Sequence, residues 1–113
     1  MKKFTVGVIQ MDSQDNVEKN LQTAVEFIGE AAARGAKLIA MPESMNYVGT
    51  DNAGHAENIP DGPTFCLMAE QAKKHHVWLH CGSIYEKNEK DPRPYNATMV
   101  ISPEGELAAK YHK

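Results

Sequence analysis

Residues 4–41 switch between two periodicities, and that switch limits the folds open to the chain. "FTVGVIQM" (4–11) is rich in β-branched residues and free of charge, the composition of a strand buried on both faces. In "DSQDNVEKN", Asp15 and Glu18 are spaced as a helix-capping pair. Val17, Leu21, Ala24, Val25, Ile28 and Ala32 then recur at intervals of three and four, which predicts an amphipathic helix running to Arg34 and stopped by Gly35. "KLIAM" (37–41) reads as a second strand. Strand, helix and strand in that order require a crossover, so the two strands are predicted to be parallel with a right-handed connection.

The rest of the chain extends this unit. Residues 44–62, rich in Asn, Gly and Asp, form a long excursion of the kind that is functional or disordered in compact domains. "GPTFCLMAEQAKKHH" predicts a helix over 64–76, with Thr64 as its N-cap and Phe65, Met68, Ala69 and Ala72 on one face. "VWLHCGSIYE" predicts a strand over 77–85, kinked at Gly82. "YNATMVISPEGELAAKY" predicts a hairpin of strands 96–101 and 106–112 that turns at Gly105. Two helices suffice to cover one face of such a sheet, so the other face should be apolar and open. The expected architecture is α/β, a mixed sheet with two helices on one face, in a single domain over 1–113.

Composition narrows the function. A hydrophobic content of 42%, a net charge of −3 and no long apolar run give neither a nucleic-acid footprint nor a membrane span. "MKKFTVGVIQM" is followed at once by Asp12 and Asp15 and has no small-residue cleavage site, so it reads poorly as a signal peptide. The chain reads as cytoplasmic, with Cys66 and Cys81 as free thiols.

Few residues could carry chemistry. His75, His76, His80 and Cys81 cluster, but His76 and His80 straddle a helix–strand junction and lack the HExxH pattern, so no metal site is expected. Cys66 and Cys81 read as small buried or structural side chains. Glu43 stands out. It ends the apolar run "LIAMPES" just past Pro42, which cannot donate to a sheet ladder, and ligand sites of α/β folds favour the carboxyl ends of strands. Lys113 carries no signal by itself.

In this order, "VGVIQM", "GAKLIAMPES", "IPDGPT", "VWLHCGSIYE" and "YNATMVISPEGELAAKYHK" resemble the nitrilase, or carbon–nitrogen hydrolase, superfamily from residue 4 onward, and are most similar to its Nit amidase branch. The resemblance implies the amino-terminal half of an α-β-β-α sandwich. It maps the family's catalytic glutamate onto Glu43 and its catalytic lysine onto Lys113, with His112 where the family usually has Arg. It implies cysteine-dependent hydrolysis of a small-molecule amide or nitrile, no cofactor, and a nucleophilic cysteine beyond the lysine. Neither Cys66 nor Cys81 matches that cysteine, so the isolated chain is expected to be a truncated, inactive domain. The alternative is a silent or split-enzyme fragment that serves as a binding partner. The resemblance leaves the substrate open, and also the oligomeric state, homodimers being common in the family.

Overall fold

A computed structural model describes residues 2–113. Its elements run β1 (Thr5–Val8), α1 (Val17–Ala33), β2 (Ala36–Ala40), α2 (Pro63–His75), β3 (Trp78–His80), β4 (Ile84–Glu86), β5 (Tyr95–Ile101) and β6 (Leu107–His112). β1, β2 and β3 are parallel, and β5 is antiparallel to β3, β4 and β6. Ala97 of β5 pairs with both Ile84 and His112, and Ile101 with both Leu79 and Leu107, so β3 and β4 share one side of β5 while β6 lies on the other.

The expected third strand is therefore two short strands in line. The break is at Gly82, whose φ of +38° and close approach to Pro42 replace ladder pairing with a tertiary contact. Helix starts also differ from the sequence reading. Asn16, not Asp15, caps α1 by accepting from the Lys19 amide at 3.0 Å. Gly62 precedes α2, with Pro63 in the first turn, where its missing N–H costs nothing. Thr64 instead lies inside α2 and bonds to Glu57. The helix ends follow the expected chemistry: Gly35 has φ +91°, and Lys73, Lys74 and His75 complement the carboxyl end of α2.

Both helices pack against each other and on the same face of the sheet. Leu21, Ala24 and Ile28 of α1 and Phe65, Met68 and Ala72 of α2 bury against Ile39, Leu79, Ala97, Met99 and Ile101. Complete burial of residues such as Ile28 and Leu79 is worth about 1.5–3 kcal/mol each. The α-layer and mixed sheet match the sequence expectation.

Strand alternation sends the remaining side chains to the other face. Val6, Val8 and Trp78 stand there with Tyr111, and all four are exposed, Val8 at 81%. β1 was expected to be buried on both faces; here it is an exposed edge strand, because nothing among the described residues covers that side. No helix among the described residues is long and apolar enough to cross a membrane.

Candidate active site

Glu43 lies just past β2, where the strand meets the break in β3/β4. The Met41 amide donates to the His80 carbonyl at 2.8 Å and the Cys81 amide to Met99 at 2.9 Å. A Cβ on Gly82 would fall 1.8 Å from the Pro42 carbonyl oxygen, so only glycine permits this crossing. Beyond it, Ser44 adopts a left-handed φ of 52°, and its amide donates to Ser83 Oγ at 2.8 Å. The amide of buried Met45 donates to the Ser83 carbonyl at 3.1 Å. Glu43 is thus an exposed side chain on a pinned backbone.

Lys113 arrives from the other side of the sheet. Its amide donates to the Asn96 carbonyl at 2.8 Å, which carries the β5–β6 ladder one residue past β6. The structure brings the two sequence-derived residues together, with Lys113 Nζ 3.7 Å from a Glu43 carboxylate oxygen. The two side chains are 42% and 68% exposed, so the pair adds at most about 1 kcal/mol to stability.

A second acidic centre, not singled out in the sequence, braces the strand that presents Lys113. The side chain of Glu86 is 7% exposed and accepts from Lys110 Nζ and pairs with His112 Nε2, each at 2.6 Å. The His112 ring stacks on Tyr95 with centroids 3.9 Å apart. Lys110 and His112 point to the helix-covered side of β6, whereas Tyr111 and Lys113 alternate to the open side. The signal was available: an acid closing an apolar strand, and two basic residues at i and i+2 on a hairpin arm.

The 44–62 loop is latched in place rather than disordered. Glu57 accepts from the Thr64 amide and hydroxyl at 2.7 Å each and from Asn46 Nδ2 at 3.1 Å. The Glu57 backbone forms a parallel bridge beside Glu86, its amide donating to the Tyr85 carbonyl and its carbonyl accepting from the Lys87 amide, each at 2.9 Å. Tyr47 stacks on His55 at 3.8 Å.

The cysteines stand apart from this pair. Cys81 is fully buried, and burial pushes its thiol pKa far up. Cys66 is exposed on α2, the helix layer opposite the open face, with its sulfur 3.6 Å from the Asp61 carbonyl. Among the described residues, no three His, Cys, Asp or Glu side chains are placed to hold a metal ion. Clefts of about 340 Å³ beside β1 and about 400 Å³ beside residues 87–94 lie elsewhere on the surface, and neither is lined by Glu43 or Lys113.

Sheet, helix layer and strand-end carboxylate together define an α/β class with a candidate acidic site, and comparison makes the class specific. Residues 5–113 match the Carbon-nitrogen hydrolase family, and the chain belongs to it. It is 36% identical over 115 residues to the omega-amidase NIT2 of Homo sapiens, covering 100% of this chain and 41% of that protein. It is 35% identical to nitrilase homolog 2 of Dictyostelium discoideum, covering 99% of this chain and 34% of that protein. Among solved structures, Nit3 of Saccharomyces cerevisiae, a member of branch 10 of the nitrilase superfamily, superposes with a TM-score of 0.85 at 25% identity, over 96% of this chain and 43% of that one. The chain thus spans about a third to two fifths of these curated relatives.

Proposed function

We propose that the chain supplies the glutamate and lysine of a cysteine-dependent amidase that hydrolyses a small amide to a carboxylate and ammonia. The observation that carries this reading is the 3.7 Å approach of Lys113 Nζ to Glu43 at the end of β2, a pairing too exposed to be structural. Glu43 takes the proton of a cysteine thiol, and the thiolate attacks the amide carbon. The Lys113 ammonium faces the developing oxyanion. Glu43 returns the proton to the departing ammonia, then takes one from the water that cleaves the thioester, releasing the acid and restoring the thiol.

The nucleophile in this proposal belongs to sequence that follows Lys113, because Cys81 is buried and Cys66 lies on the helix layer. The truncated-domain reading goes with it: the open face of Val6, Val8, Trp78 and Tyr111 suits completion by a second β-layer, from further sequence or a second chain. The names of the human relative and of a chloroplastic omega-amidase of Arabidopsis thaliana favour ω-amides as substrates. A reducing cytoplasm suits the free thiols and would keep a cysteine nucleophile from forming a disulfide.

The test is ammonia release from dicarboxylic monoamides, and from a deaminated glutathione-like amide, by protein that includes the sequence encoded after Lys113. Glu43→Gln and Lys113→Met should each lower kcat on the order of a hundredfold or more. Cys66→Ala and Cys81→Ala should leave it nearly intact. Full activity in Glu43→Gln sinks the proposal, as does turnover by the 113-residue chain that vanishes in Cys66→Ala.

A further inference from the structure

We infer that Ser83 is a positioning residue for Glu43: its hydroxyl oxygen holds Ser44 in a left-handed turn, and that turn aims the carboxylate at Lys113. The inference rests on the amidase reading only in taking Glu43 as the group that moves the proton.

The strained residue comes first. Among the described residues, two that are not glycine have positive φ, Ser44 at 52° and His76 at 53°. His76 ends α2, where a left-handed residue is an ordinary helix stop. Ser44 ends no helix. It follows Glu43 directly, and a serine stays in this region only when its surroundings impose it. The turn separates neighbours. Met45, Asn46 and Tyr47 bury at once, at 0%, 1% and 3% exposure, while Glu43 stays in solvent.

What imposes the turn is one buried side chain. The Ser83 carbonyl is taken by the Met45 amide at 3.1 Å. The Ser44 amide donates instead to Ser83 Oγ, at 2.8 Å. Ser83 is fully buried in the gap between β3 and β4, so its hydroxyl cannot swing out to water. The break at Gly82 thus serves both sides of Glu43. Ahead of it stands Pro42, with its φ set by the ring and its carbonyl pressed against Gly82. Behind it stands Ser44, held by Ser83. The Glu43 side chain is itself 68% exposed, so its aim comes from the backbone on either side.

Glycine at position 44 separates positioning from stability. It reaches positive φ without a hold, but it does not return the hydrogen bond that Ser83→Ala removes. In protein that includes the sequence encoded after Lys113, with a dicarboxylic monoamide as substrate, Ser83→Ala should lower kcat about tenfold or more. KM should stay within about twofold, because misplacing a proton-transfer group acts on the chemical step. Ser83→Ala combined with Ser44→Gly should recover most of kcat, while the urea midpoint stays low for want of the hydrogen bond. On the 113-residue chain, nuclear Overhauser contacts between the Glu43 and Lys113 side chains should be lost in Ser83→Ala and return in the double variant. Should Ser83→Ala fail to fold, Ser83→Cys puts the same question, because sulfur is a weak acceptor. A folded Ser83 variant that keeps the Glu43–Lys113 contacts overturns the inference. So does a loss of kcat that Ser44→Gly leaves untouched. Full activity in Glu43→Gln would sink the amidase reading instead, and the Overhauser contacts would still decide whether Ser83 places Glu43.

Discussion

Replacing Gly82 with alanine tests how the strand break positions Glu43, and Gly35→Ala supplies the control. Both glycines have positive φ, +38° and +91°, but a Cβ at Gly35 meets nothing within 4 Å, whereas at Gly82 it lies 1.8 Å from the Pro42 carbonyl oxygen. The left-handed backbone alone costs an alanine about 1–2 kcal/mol at either site. At Gly82 the Pro42 carbonyl must also retreat by roughly 1.2 Å, from 1.8 Å to the 3.0 Å that real Cβ contacts respect. That movement breaks or stretches the Met41–His80 and Cys81–Met99 hydrogen bonds, now 2.8 and 2.9 Å. At about 1 kcal/mol each, they bring the Gly82→Ala cost to roughly 3–4 kcal/mol. Urea unfolding followed by circular dichroism should show it. With a slope near 1.5 kcal/mol/M, the midpoint should fall by about 2 M for Gly82→Ala and about 1 M or less for Gly35→Ala. A Gly82→Ala chain that is already unfolded in buffer agrees with the larger cost. Equal losses from the two substitutions would refute the reasoning, because the Pro42 contact would then contribute nothing.

Glu86→Gln removes the charge that holds Lys110 and His112 while keeping the shape. Both partners can reach water, at 31% and 39% exposure, so the loss should be about 2 kcal/mol in the same unfolding assay, and a change under about 0.5 kcal/mol would rule out the clamp. Thiol labelling under native conditions should modify exposed Cys66 quickly and buried Cys81 only after urea is added; equal native rates would contradict the burial of Cys81. The Arg93 side chain and amide bond to Asp91 and hold its carboxyl down at about 2. A depressed carboxylate contributes stability that is present above its unfolded value near 4 and is lost as pH falls towards 2. An NMR titration of Asp91 should therefore have its midpoint near 2, and Arg93→Ala should return it towards 4.

The order of elements was legible because helix and strand periodicities are local. The apolar steps from Leu21 to Ile28 and the alternation from Ala97 to Ile101 need no knowledge of the rest of the chain. Features set by distant contacts were not legible. The kink at Gly82 was legible, but not that Pro42 crosses there and turns the kink into a break between β3 and β4. Asp15 and Asn16 are both competent caps, and their sequence neighbourhood does not choose between them. β1 read as buried on both faces because its composition reports the burial it suits, not the cover this chain provides. Glu43 could be argued from a strand that must stop at Pro42. Lys113 could not, and it entered through family resemblance alone.

Why Lys113 escaped physical reading is a matter of register. Its direction depends on the β5–β6 hairpin, where Gly105 at φ +80° and the Gly105–Ser102 bond of 2.9 Å fix the turn. A slip of one residue would reverse every side chain of β6. His112 would then turn to the open face near Glu43, and Lys113 would move to the helix-covered side. The same slip would strip Glu86 of both Lys110 and His112, leaving a buried carboxylate unpaired, which costs several kcal/mol. The buried Glu86 clamp thus penalises the wrong register on one face of β6, and the penalty keeps Lys113 opposite Glu43 on the other.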